Sequence, residues 1–426
     1  VIRAAAAALA RGETTARRLV DERLARIDPA QNIFAEVFAD QARTAADRFD
    51  AGRRTGRLLD GLPLAHKDIF CLPGRQPGCG LQPGRLALDL PPSRAAANVG
   101  GITLGMVNLA EYALGTTGTN HFLGDVANPR APGHITGASS SGSGAVIAAG
   151  LAFGSLGTDS GGSIRLPAGF CGVVGLKPTA GAVPAEGIFP LSWSLDEVGP
   201  MAATVDDCAI LFAAAKGETA PPAITPDVAG LRVGVPRSYY LDDLDSAVTD
   251  AYRGGLARLE AAGARLVDVA VVEEPRIRSL VRLIMRSELS AVHRRRMAAN
   301  PELYPLAVAK FFTAGEGLLA ADYIDALRLR PILTAQALAT TYSQVDLLAT
   351  PTAPVTAPRY DALTDAGDPA IWAAITRLMH MTQPATFFGF PALSVPLATG
   401  GPPIGLQLIG PPGAETVLFR AGAALA

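Results

Sequence analysis

The chain has 426 residues, of which 49% are hydrophobic and 18% charged, and its net charge is −2. That balance supplies apolar surface for a large buried core and leaves no basic footprint for nucleic acid. Its apolar stretches are short and broken by glycine, well under the ~18 residues a membrane span needs, so no membrane partner is expected.

Lysine occurs only at Lys67, Lys177, Lys216 and Lys310, and arginine supplies the other basic side chains. Cys71, Cys79, Cys171 and Cys208 have neither CxxC spacing nor histidines at metal-ligand offsets. Reduced, buried thiols of a cytoplasmic protein are therefore expected, with no metal and no cofactor. The apolar run that opens the chain leads into a charged helical pattern rather than a cleavage site.

In chain order, Thr15–Ile27 places apolar residues at helical intervals, and Gln31–Phe49 adds a short apolar stretch and an Ala-rich helix. Residues 1–58 thus form a largely helical segment suited to packing or to a homodimer surface. In Leu59–Phe70 a Gly/Pro turn leads into an apolar strand that ends at His66-Lys67-Asp68. A lysine at the end of a buried strand loses basicity through desolvation and becomes a usable base near neutral pH. A surface pair of Lys67 with Asp68 is the alternative.

Pro91–Ala110 reads as a helix, a Gly turn and a strand, and Glu111–Arg130 as a polar loop in which Asn120, His121 and Asn128 are pocket candidates. The densest stretch is Gly137–Arg165, GASSSGSGAVIAAGLAFGSLGTDSGGSIR. Its first loop runs into an Ala/Val helix, so backbone amides cluster at a helix start, but no P-loop or dinucleotide motif accompanies them. In its second loop Ser163 follows two glycines. These admit a substrate carbonyl close to the backbone, and the amides of Ser160, Gly161, Gly162 and Ser163 are candidate oxyanion donors. The histidines 66, 121, 134, 293 and 380 are scattered, and none falls in a Ser-His-Asp order.

The segments GLPLAHKDIF, GASSSGSGAV and GTDSGGSIRLPAGFCGVVGLKPTAGAVPAEGIFPLSWSLDEVGP together resemble the amidase signature family. So do RAAANVGGITLGMVNLAEYALG, DLLATPTAPVTAP, FFGFPALSVP and PIGLQLIGPP, leaving about 214–342 outside the likeness. The resemblance implies an α/β fold, a mixed central β-sheet flanked by helices on both sides, in a single domain spanning 1–426. It implies a Ser-Ser-Lys triad: Ser163 as nucleophile, Ser139 as bridging serine held by a cis peptide bond, and Lys67 as base. Ala138 and Ser141 stand where the family usually has Gly, and Thr386 where Asn is common.

The expected function is hydrolysis of a small-molecule carboxylic amide through a Ser163 acyl-enzyme. The alternative is an amidotransferase A-type subunit that hydrolyses glutamine and delivers ammonia only inside a complex. Arg165, Ser140 and Phe387 are candidates for substrate contact, Arg165 by holding a carboxylate or, alternatively, by a structural role. Asp159, Lys177 and Asp196 read as groups that hold loops. Leu231–Val272 resembles an αβ unit that completes the sheet, and about 275–342 reads as Arg/Leu-rich helices that shape a variable substrate pocket. Arg294-Arg295-Arg296 there is a solvated face or an acidic-partner surface, and Trp193, Phe387 and Phe388 are core or acyl-pocket aromatics.

Overall fold

The strand that ends at Lys67 is β-branched-poor and buried at every position, and it pairs in a small sheet of its own. In a computed structural model covering residues 1–272, 274–363, 369–398 and 400–425, β1 (Phe34–Val37), β2 (Pro63–Lys67) and β3 (Ile102–Val107) lie in the order β1-β3-β2. β3 is antiparallel to β1 and parallel to β2.

The larger sheet holds β4 (Ser155–Asp159), β5 (Val174–Lys177), β6 (Glu197–Ala202), β7 (Arg232–Pro236), β8 (Arg265–Val269), β9 (Leu347–Pro351), β10 (Ala392–Leu397) and β11 (Ile404–Ile409). Their order is β4-β6-β5-β10-β11-β9-β7-β8, antiparallel from β4 to β9 and parallel across β9, β7 and β8. Parallel pairing at this end fits the αβ unit read in Leu231–Val272, since a parallel neighbour requires a crossover helix. The sheet is mixed and flanked by helices, as the resemblance implied.

The helices are α1 (Ile2–Arg11), α2 (Ala16–Leu24), α3 (Ala39–Asp50), α4 (Arg94–Val99), α5 (Ser141–Ala148), α6 (Arg165–Cys171), α7 (Val205–Lys216) and α8 (Ser246–Ala261). They continue with α9 (Glu274–Ala299), α10 (Leu306–Thr313), α11 (Ala320–Thr340), α12 (Pro369–Arg377), α13 (Gln383–Phe388) and α14 (Glu415–Ala424). No helix among the described residues is long and apolar enough to cross a membrane.

Two features of this frame position the site. β2 docks on the edge of the large sheet through Ala65 N–H to Gly154 O (3.2 Å) and Phe153 N–H to Pro63 O (3.0 Å), which carries Lys67 alongside β4. α5 then packs directly against backbone: a Cβ on Gly142 would stand 2.4 Å from the carbonyl oxygen of Asn108. The small residues of the first loop thus let a helix approach far closer than side chains allow.

Candidate active site

Lys67, at the end of β2, is fully buried, and its Nζ donates to Ser139 Oγ and to Thr158 Oγ1, each at 2.8 Å. It forms no pair with Asp68, whose carboxylate instead takes Arg75 Nη1 at 2.8 Å and the amide of Gly78 at 3.1 Å. Burial lowers the Lys67 pKa to about 7, against the opposing pull of Asp196 and Asp159. A lysine in this state is partly neutral at neutral pH and can accept a proton.

Ser139 reaches Lys67 because the chain reverses just before it. Gly137 and Ala138 both have positive φ, 85° and 43°. An alanine in the left-handed region costs ~1–2 kcal/mol. Its methyl group is buried in a cluster with Ile135, Leu166 and Phe170, which offsets about 0.8 kcal/mol of that. No cis peptide bond occurs among the described residues; the left-handed pair makes the turn at Ser139 in place of the expected cis bond.

Ser163 lies between β4 and α6. Its Oγ accepts from the Ser139 amide at 3.4 Å, and its carbonyl accepts from the Ser140 amide at 3.2 Å, so the two loops are joined through backbone. Gly162 has φ 138°, and a Cβ there would stand 2.4 Å from Thr382 Oγ1. Only glycine fits between the strand end and that threonine.

Asp159 governs the second loop. It accepts from the amides of Gly162 (2.7 Å) and Ile164 (3.1 Å) and forms a fully buried, two-pronged ion pair with Arg165, Nε to Oδ2 at 2.9 Å and Nη2 to Oδ1 at 2.8 Å. Burial pushes its pKa up, but the charge and hydrogen bonds of Arg165 outweigh this and hold the carboxyl below its ordinary value. With the Gly162 amide committed to Asp159, the amides of Ser160, Gly161 and Ser163 are the donors of this loop without a protein acceptor among the described residues. Ser160 lends its hydroxyl to Asp196 at 2.5 Å. Burial raises Asp196 to about 6, opposed by that hydroxyl and by the amides of Ser192 and Leu191.

The cavity beside Ser163 has a volume of about 230 Å³. Its wall includes Ser160, Gly161 and Ser163 together with Leu289, Phe311, Trp372 and Met379. His121 faces it, but Asn120 and Asn128 are buried and bonded to backbone carbonyls, Asn120 to Gly80 and Leu109 and Asn128 to Ile135 and Phe170.

The three substrate-contact candidates lie elsewhere. Besides Asp159, Arg165 donates to Thr382 O (2.7 Å), Gln407 Oε1 (2.8 Å) and Thr386 Oγ1 (2.9 Å), so its role is structural and no donor remains for a substrate carboxylate. Ser140 Oγ is tied to Thr158 O at 3.1 Å. Phe387 is fully buried in a separate core with Phe390, and Phe388 stacks on Phe390. Trp193, half exposed, lines a different cleft, with Glu288 and Tyr323.

Asp159 and Asp196 hold loops as read from the sequence, and Lys177 is buried with Nζ on Pro178 O at 2.7 Å. His66, fully buried, accepts from the Leu156 amide at 3.2 Å and makes no bond to Ser163. Sequence reasoning missed Thr158, which sits one residue before Asp159 on a strand, and the wall residues Met285, Phe311, Trp372 and Met379. Thr158 carries a hydroxyl within the motif GTDSGGS, and that was the available signal.

The chain matches the model of the family described as Amidase across residues 18–419. It is 36% identical to the A-type subunit of the glutamyl-tRNA(Gln) amidotransferase of Halorhodospira halophila, over 95% of this chain and 92% of that protein. Among solved structures it is similar to a crystallised amidase, with 31% identity, a TM-score of 0.90 and coverage of 100% and 98% of the two chains. It is also similar to a chain of an inhibitor-bound structure described as a vestigial protein complex that reveals the evolutionary origins of an s-triazine catabolic enzyme, at 30% identity and a TM-score of 0.88 over 98% and 96%.

Proposed function

The chain belongs to the Amidase family and is an amide-hydrolysing enzyme, and from that premise we propose that its chemistry runs through Ser163, Ser139 and Lys67. Neutral Lys67 takes the proton of Ser139 Oγ. Ser139 in turn takes the proton of Ser163 Oγ as that oxygen adds to the amide carbonyl carbon, the Ser163 side chain turning from the Ser139 amide toward its hydroxyl. The tetrahedral oxyanion forms against the uncommitted amides of Ser160, Gly161 and Ser163, where a donor is worth ~2.7–4 kcal/mol. The proton returns through Ser139 to the leaving nitrogen, the C–N bond breaks, and ammonia or an amine departs. Water then cleaves the acyl-Ser163 ester, with Lys67 again the base.

The observation that carries this reading is the contact of Lys67 Nζ with Ser139 Oγ at 2.8 Å, on a lysine that burial brings to about 7. A fluorophosphonate probe should label Ser163 and nothing else; labelling at another serine, or at none, overturns the assignment.

For context we favour the A-type amidotransferase subunit, in which the released ammonia passes to a partner, over a free-standing amidase. Support comes from 36% identity to such a protein over nearly the whole of both chains. The likeness to a crystallised amidase at a TM-score of 0.90 favours the second reading. Ammonia release from glutamine and simple amides, measured on the purified chain alone, separates them: the amidotransferase reading expects little without a partner, and full turnover by the lone chain overturns it.

A further inference from the structure

Gln383, the first residue of α13, lines the cavity onto which Ser163 opens. The chain on either side of it is fastened to the nucleophile loop. Thr382 donates its hydroxyl to Gly161 O at 2.5 Å, and the Gln383 amide donates to Met379 O at 3.3 Å. Met379 Cε in turn lies 2.6 Å from the position a Cβ on Gly161 would take. The Gln383 side chain itself makes no hydrogen bond among the described residues, and its Oε1 is buried without a partner. Other glutamines of the fold are fully engaged. Gln76 pairs with both the amide and the carbonyl of Leu90, each at 3.0 Å, and Gln407 accepts from Arg165 while donating to Thr350 Oγ1 and Met381 O.

An idle carboxamide leaves the fold with an unpaired buried acceptor, which destabilises it unless a ligand completes the bond. The rest of the wall shows which ligand group lacks a partner. Thr117 and Thr119 bond to each other at 3.0 Å, Thr376 donates to a carbonyl of its own helix, and Glu111 holds the ring of His121 at 2.8 Å. The arginines of the wall and the free amides of the nucleophile loop carry donors only. Thr116 Oγ1 is buried and unbonded too, but a hydroxyl turns to donate or to accept, whereas a carboxamide oxygen only accepts. The carbonyl oxygen of a bound amide therefore meets donors, and its N–H meets an acceptor at Gln383.

We propose that Gln383 Oε1 accepts an N–H of the scissile amide, so that this residue fixes the leaving nitrogen and makes the site distinguish nitrogen from an isosteric carbon. The last torsion of a glutamine side chain is soft, and the oxygen turns into the cavity without moving the wall. When Ser163 Oγ adds to the carbonyl carbon, the nitrogen becomes pyramidal and gains a lone pair, which takes the proton held on Ser139 before the C–N bond breaks. An N–H anchored on Gln383 orients that lone pair away from α13 and leaves it open to the transfer. A site built to bond a substrate N–H also rejects the analogue that lacks it, because its own acceptor is then left unpaired. The inference rests on Ser163 as the reacting residue and supplies the contact for its leaving group.

The test measures binding separately from chemistry. In the full-length Ser163→Ala chain, calorimetry compares hexanamide with methyl pentyl ketone, the same skeleton with a methyl group in place of NH2. The ratio of amide to ketone affinity should fall about tenfold when Gln383→Leu is added. Gln383→Glu keeps an acceptor oxygen at the same reach and should hold the ratio within about threefold of its starting value. The melting temperature of Gln383→Leu should hold or rise, because an unpaired polar group leaves the wall. A ratio untouched by leucine, a ratio lost equally with glutamate, or no binding of hexanamide at millimolar concentration overturns the contact. Equal weakening of both ligands with a lowered melting temperature assigns Gln383 to packing and overturns it too. Fluorophosphonate labelling of the unsubstituted chain reports on Ser163 independently. A ratio that depends on Gln383 without labelling sinks the nucleophile assignment alone, and labelling with an unchanged ratio sinks the Gln383 contact alone.

Discussion

Lys67 Nζ stands 2.8 Å from Thr158 Oγ1, the same distance that separates it from Ser139 Oγ. A neutral amine has one lone pair, and it must face Ser139 for the relay to start. Thr158 accepts one of the amine's hydrogens and so turns the lone pair toward the serine. Thr158→Val keeps the shape and removes the acceptor. We expect kcat/KM to fall about tenfold, within the range general-base catalysis supplies. The acceptor stabilises the ammonium form more than the amine, so its loss should move the lower limb of the pH–rate profile further down. A limb that stays in place or moves up assigns Thr158 a purely structural role.

Replacing Lys67 by Met fills its volume without a base. Turnover should drop by about two to four orders of magnitude, and the residual activity should lose the limb near pH 7. The stability of the two proteins should also diverge with pH. In the native chain the folded pKa of about 7 lies below the ordinary lysine value of 10.5. Between these values the unfolded chain binds a proton that the folded one does not, so wild-type stability rises with pH across that window, relative to the Met variant, and is lowest below it. Parallel melting curves from pH 6 to 10 would exclude a buried, depressed lysine.

The proposed triad was legible because its chemistry is concentrated in short motifs. Lysine is rare here, so one at a strand end stood out, and two hydroxyl loops flank an apolar run that has to be buried. The αβ unit at 231–272 and the helices of 275–342 also followed from periodicity alone. The cavity wall was not legible. Met285, Phe311, Trp372 and Met379 come from segments distant in sequence, and each reads in isolation as an ordinary apolar helix residue. Arg165 was open to misreading for the opposite reason: an arginine beside a nucleophile suggests a ligand, and only the contacts show its guanidinium taken by Asp159, Thr382, Thr386 and Gln407. Phe387, similarly, belongs to a second core whose partners lie on α9 and α11.

Removing Arg165 should therefore act on folding and not on substrate choice. Arg165→Ala leaves the Asp159 carboxylate buried without its partner, a loss of ~3–5 kcal/mol in comparable buried pairs, to be read from chemical denaturation. Because Asp159 is held below its ordinary value, its contribution is present above about pH 4 and is lost as the pH falls through the depressed folded value. The variant should lack that acid-dependent loss. A folded Arg165→Ala enzyme whose KM rises only for carboxylate-bearing amides would return the residue to the substrate.

Met379 decides how much room the acyl group has beside the oxyanion loop. Its Cε would lie 2.6 Å from a Cβ on Gly161, so the thioether occupies the space immediately over the backbone that receives the carbonyl. The side chain is only partly buried and lines the cavity, so truncation should cost about 1–2 kcal/mol of stability, less than a fully buried methionine. The larger effect should be on selectivity. Met379→Ala opens space next to the carbonyl carbon, and one methylene group in an apolar pocket is worth ~1–3 kcal/mol of discrimination. The ratio of kcat/KM for an amide branched at the α-carbon to that for its linear isomer should therefore rise at least about tenfold, with fluorophosphonate labelling of Ser163 unchanged. An unchanged ratio would place the acyl chain on another wall of the cavity.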